Sequence, residues 1–140
     1  MKKSLLGMSL ALFLTLPVVA SAETVWFMEG SVSDSAGSSY IYSGIYLKLG
    51  VWPVAPGHKV GFVYSYDRWA TSHWGTLQWS HNQPNAYGSM DEVWMSTTLV
   101  TVPGPWRTPT TIDFAVYVED ANGQRTWNNN DGQNFRLVEP

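Results

Sequence analysis

The chain has no cysteine in 140 residues. A disulfide scaffold, a thiol enzyme and a lipid-anchored lipoprotein are thereby excluded, and stability has to come from packing. Charge is scarce too: Asp, Glu, Lys and Arg make up 14% of the residues, and the formal net charge is −3. A chain so short of Lys and Arg attracts nucleic acid and anionic membrane surfaces poorly, so neither is expected as a partner. His58, His73 and His81 form no H-E-x-x-H motif and no closely spaced ligand pair. They read as loop residues, and neither a metal site nor a cofactor is expected.

Long apolar runs are absent after the first 22 residues, so no membrane insertion is expected. The one such run, Leu5 to Ala20, follows Met1-Lys2-Lys3-Ser4 and leads into Ala20-Ser21-Ala22. A basic start, a short apolar stretch broken by Gly7 and Pro17, and a small-x-small end predict a signal peptide over 1–22. The mature chain is then expected to begin at Glu23, and to be secreted to the periplasm or beyond the cell. Losing Lys2 and Lys3 makes it more acidic still.

Catalytic signatures are missing as well. There is no G-x-S-x-G motif for a serine esterase. Setting Gly132 at the sixth position of a calcium loop puts Trp127 first and Val138 twelfth, so an EF-hand fails. Asp67, Asp91, Glu92, Asp113, Glu119, Asp120 and Asp131 could supply a glycosidase pair. A single small domain rarely encloses the deep cleft that such chemistry needs. Most of these acids read as solvated, and no enzyme activity is expected.

What the sequence does contain is strand patterning and indoles. "YIYSGIYLKL" (40–49) sets Ile41, Ile45, Leu47 and Leu49 on one face. "KVGFVYSY" (59–66) alternates through Val60, Phe62 and Tyr64, and "TIDFAVYV" (111–118) through Ile112, Phe114, Val116 and Val118. "EVWMSTTLV" (92–100) places Val93, Met95 and Leu99 on one side. Breakers fall at 53–57, 82–88, 103–109, 121–123 and 128–132. Period-two runs between such turns predict an all-β chain: an immunoglobulin-like antiparallel β-sandwich of seven to eight strands, with a small closed barrel as the alternative. After the signal, 23–39 reads as an N-terminal strand followed by a flexible segment (31–39), and 40–140 as one sandwich domain.

The chain holds 8 Trp and 7 Tyr, more than a core of this size needs. Exposed aromatics are expected, and exposed aromatics mark binding surfaces. In "TWNNNDGQNFRL" (126–137) Trp127 stands beside Asn128, Asn129, Asn130 and Asn134; in "SYDRWATSHW" (65–74) Trp69 stands beside Asp67, Arg68, Thr71 and Ser72. A sugar has an apolar C–H face for an indole and a hydroxyl rim for amides, which both donate and accept. Covering about 100 Å² of indole is worth about 2.5 kcal/mol. Association costs several kcal/mol, so one platform gives little better than millimolar binding, about −4 kcal/mol. Two platforms on a repeating polymer suit these magnitudes better.

The order "GIYLKLGV" (44–51), "HKVGFVYSYDRW" (58–69), "TIDFAVYVED" (111–120) and "WNNNDGQNF" (127–135) resembles the family 21 carbohydrate-binding modules. These are starch-binding domains of some fungal amylases, and they also occur in glycogen-targeting subunits of type 1 protein phosphatase. The likeness spans about Tyr40 to Leu137. It implies a non-catalytic sandwich that binds α-1,4-glucan, as polysaccharide or malto-oligosaccharide, with a secreted glycan-active enzyme as the implied protein partner. Trp69 and Trp127 match the aromatic platforms of the family's main site. Asn129, Asn130 and Asn134 match motif asparagines, some for glucose hydroxyls and others for holding the loop. Trp52 lies where the family often has an aromatic of a second site. Three positions depart from the pattern: Asn128 replaces the motif Asp, Phe135 the commoner Tyr, and Ala115 a strand position that can be aromatic. A sandwich that offers its aromatics to an envelope protein or another polysaccharide stays open as the second reading.

Overall fold

Alternating apolar residues from two sheets meet to form the core. The computed structural model describes residues 23–36, 40–103 and 110–140. The expected signal peptide (1–22), the end of the expected flexible segment (37–39) and the proline-rich 104–109 lie outside the described residues. Among the described residues, eight strands follow in chain order: β1 (Thr24–Ala36), β2 (Tyr40–Trp52), β3 (Lys59–Ser65), β4 (His73–Pro84), β5 (Met90–Pro103), β6 (Thr111–Glu119), β7 (Arg125–Asn128) and β8 (Phe135–Val138). Every pairing is antiparallel.

The first sheet runs β1-β2-β5-β4 and the second β3-β6-β7, with β8 also on β6. In order these match the ABED and CFG sheets of an immunoglobulin sandwich. Strand β4 serves both sheets: from His73 to Leu77 it pairs with β3, and from Gln78 to Pro84 with β5. The barrel alternative is not realised, because β1 and β7 stand at opposite ends of the strand path.

Between the sheets lie Ile45, Leu47, Leu49 and Val51 of β2, Val60, Phe62 and Tyr64 of β3, and Ile112, Phe114, Val116 and Val118 of β6. Burying each such side chain is worth roughly 1.5–3 kcal/mol. This is the set the alternation predicts, apart from Ile41, whose side chain lies outside the description.

Strand β5 differs. Its register sets Trp94 opposite Leu49 and Thr98 opposite Ile45, so the Val93–Met95–Leu99 side faces outward. Leu99 is 81% exposed, whereas Val93 is buried. Strand β1 differs as well: residues 31–36 do not form a flexible segment but continue the strand, paired with 41–46. Val32 is buried opposite Ile45, and the Ser43 hydroxyl donates to Asp34 Oδ1 at 2.6 Å, which holds the end of β1 down. Among the described residues, the sandwich therefore includes 23–36 as well as 40–103 and 110–140.

His58 is a loop residue, as expected, but a buried one. Its Nδ1 lies 2.8 Å from Glu92 Oε1 and its Nε2 2.8 Å from Glu23 Oε2. Asp91, Glu92 and Asp113 are buried too, exceptions among acids that read mostly as solvated.

Candidate functional site

The "NNNDGQN" stretch interrupts an edge strand. On β6, Val116 faces Asn128 of β7 and Phe114 faces Phe135 of β8. Ala115 alone therefore faces a gap out of which residues 129–134 loop. Such a loop needs left-handed backbone, and Asn130 (φ 56°), Asp131 (φ 56°), Gly132 (φ 87°) and Asn134 (φ 62°) provide it. Asn, Asp and Gly tolerate that region better than other residues.

Most of the amide chemistry holds the loop in shape. Asn128 Nδ2 donates to the Val25 carbonyl at 2.9 Å, and its Oδ1 accepts the Asn130 N–H at 3.0 Å. An aspartate there could not make the first bond. Asn129 Oδ1 accepts the Gly132 N–H at 2.9 Å, and Asn130 Nδ2 donates to the Asn134 carbonyl at 3.1 Å. Among the described residues, none bonds to Asn129 Nδ2 or to the Asn134 side-chain amide.

Opposite this loop stands the turn after β3. Trp69 has φ 68° and Arg68 φ 55°, a conformation that costs a bulky side chain about 1–3 kcal/mol. A small knot of hydrogen bonds holds it. The Trp69 N–H donates to Ser65 Oγ at 2.9 Å, and that hydroxyl donates to Asp67 Oδ1 at 2.7 Å. The Thr71 N–H donates to Asp67 Oδ1 at 3.0 Å and its hydroxyl to Oδ2 at 2.6 Å. Donation by Thr71 and then Ser65 lowers the Asp67 carboxyl from its ordinary 3.8 to about 2.

Between the two turns lies an open groove of about 370 Å³, lined by Val63, Trp69, Ala115, Trp127, Asn129 and Asn134. Trp69 is 38% exposed and Trp127 43%. Val63 and Ala115 are paired neighbours on the floor, where a larger residue at 115 would intrude. No lining residue is charged, so the groove suits a neutral ligand with an apolar face and a polar rim. Of the residues chosen from the sequence, it brings together Trp69, Trp127, Asn129 and Asn134. Asn130 lies in the loop, its amide nitrogen committed to the loop backbone.

Trp52 is elsewhere. With Trp26, Tyr87, Thr24, Asn85, Ser89 and Asp91 it lines a second hollow of about 510 Å³ that shares no residue with the groove.

Sequence reasoning missed the neighbours of Trp127. Its ring lies 5.0 Å from Tyr117 and 5.8 Å from Trp74, and the Arg125 guanidinium sits 4.3 Å over Tyr117. Arg125 is itself held by Glu119 at 2.9 Å. Outward alternation on β6 and β7 could have grouped Tyr117, Arg125 and Trp127; nothing local marks Trp74. Among the described residues no three His, Asp or Glu side chains are grouped to hold a metal ion.

No family model matches the chain, and no curated protein does. Among solved structures it is similar to the carbohydrate binding module of the muscle glycogen-targeting subunit of Protein Phosphatase-1, in its solution structure. That likeness has 18% identity and a TM-score of 0.45, over 81% of this chain and 74% of the other. So loose an overlay carries no functional weight, and the fold assignment stands on the strand pairing.

Proposed function

We propose that this chain is a non-catalytic carbohydrate-binding domain that takes α-1,4-linked glucan into the groove between Trp69 and Trp127. The observation that carries the proposal is that two half-exposed indoles form walls of one uncharged groove with unspent Asn129 and Asn134 amide groups at its rim. Stacking on the indoles supplies affinity, and the amides set the orientation of the hydroxyl edge. The motif order shared with family 21 supports glucan as the polymer. Trp26, Trp52 and Tyr87 offer a second hollow for the same ligand, which a titration stoichiometry of two would reveal.

Affinity electrophoresis through an amylopectin gel tests the reading. Wild-type protein is expected to be retarded, and the Trp69→Ala/Trp127→Ala double variant to migrate freely. Because both rings stand at the surface, each change should cost only about 1 kcal/mol of stability, against about 3–5 kcal/mol for a core Trp. Unretarded wild-type protein, or a double variant that unfolds, would overturn the proposal. A pull-down that captures one envelope protein without glycan would favour the interaction-protein reading instead.

A further inference from the structure

Trp74 ends the "SYDRWATSHW" stretch without a role there, yet it stands beside the groove. It lies on β4, and Trp127 lies on β7, with β3 and β6 between them. Adjacent strands are about 4.8 Å apart, so the two backbones are separated by roughly 14 Å. The ring centroids are only 5.8 Å apart. Both indoles must lean inward across the sheet.

The surface beneath allows this. Tyr117 lies over Gly61, where a Cβ would come within 2.5 Å of the tyrosine hydroxyl and 2.7 Å of the Gly75 carbonyl. Trp74 meets Tyr117 edge-on at 5.9 Å, and the Arg125 guanidinium lies 5.4 Å from the Trp74 ring. Its strand partner Val63 is on the floor of the groove. Trp74 is thus braced from several sides and still 56% exposed. A ring that only buttressed Trp127 would have no cause to keep so much apolar surface in water.

Orientation narrows the ligand. The Trp74 and Trp127 planes are inclined at 63°. A flat, extended glycan ribbon stacks on coplanar rings, whereas a chain that turns from one unit to the next can meet two inclined ones. We propose that Trp74 is a third stacking surface that continues the Trp69–Trp127 groove, so that the site follows several units of a helically curved α-glucan. This rests on the carbohydrate reading and extends it to chain length and curvature.

Calorimetric titration of wild type, Trp74→Ala and Trp74→Phe with maltotriose and maltoheptaose decides the matter. The alanine variant is expected to bind maltoheptaose about tenfold more weakly while maltotriose binding stays as in wild type, and phenylalanine should restore most of the loss. An equal loss at both lengths would make Trp74 a support for Trp127, and no loss at either would make it a bystander; both overturn the inference but leave the carbohydrate reading intact. Tighter binding of cellohexaose than of maltoheptaose would overturn the curvature argument. Wild-type protein that binds neither malto-oligosaccharide would remove the carbohydrate reading itself, and this inference with it.

Discussion

At Trp69 one residue shows how the site is held. Its φ of 68° is unfavourable for an indole-bearing residue, and the Ser65–Asp67–Thr71 hydrogen bonds offset that cost. The sequence put Trp69 beside those polar residues but read them as candidate ligand contacts; their main use is internal. The same holds for the asparagines at 128–130, whose side chains mostly satisfy the loop backbone. Asp67 makes the arrangement pH-dependent. Its carboxyl is lowered from 3.8 to about 2, so the folded state favours the charged form. The stabilisation is complete above about pH 4 and is lost as the pH falls from there through 2. Trp69 fluorescence and the unfolding midpoint should therefore fall over that window in wild type. In Asp67→Asn both should already be reduced at pH 7 and should change less between pH 4 and 2. A wild-type profile that is flat in this range would refute the assignment.

Among the strands, what matters for the site is the outer face of the second sheet. Alternation on β3 and β6 predicts their inner faces well, because side chains on successive residues must point to opposite sides. It also implies that Val63, Ala115 and Tyr117 point outward, but not that Tyr117 lies across Gly61 on the neighbouring strand. That contact gives a test. Gly61→Ala adds a methyl where the tyrosine hydroxyl and the Gly75 carbonyl stand, and the backbone carbonyl cannot move aside easily. The change should cost about 1–3 kcal/mol in chemical denaturation. It should also weaken amylopectin retardation by displacing Tyr117 and, with it, Trp127 and Trp74. Unchanged stability and retardation would show that Tyr117 does not brace the platform.

Across the whole molecule, a buried hydrogen-bonded cluster ties distant segments together. His58 precedes β3, Glu23 precedes β1, and Glu92 lies in β5; the imidazole lies between the two carboxylates. Glu92 also accepts the Trp94 indole N–H at 2.9 Å and the Ala55 N–H at 3.0 Å. Removing one partner from such a cluster is costly because the buried polar groups that remain lose a hydrogen bond without regaining water. His58→Ala is expected to lower the unfolding free energy by about 3 kcal/mol without changing glucan affinity in the protein that remains folded. A loss below about 1 kcal/mol would mean that the cluster behaves as a surface pair.

The all-β class, the inner faces of β2, β3 and β6, and the association of two tryptophans with polar turns were all legible in the sequence. Each follows from local rules of alternation and turn chemistry, which neighbouring residues satisfy among themselves. Only the tertiary structure decided which indoles share a groove, because that depends on the register of Val63 with Ala115 and on the gap between β7 and β8. It alone carried β4 from one sheet to the other, bringing Trp74 to Trp127. It also turned Leu99 outward, extended β1 through Ala36 and buried His58. These outcomes come from pairings between segments far apart in the chain, whose register is set by the packing of both sheets at once and by no residue's immediate neighbours.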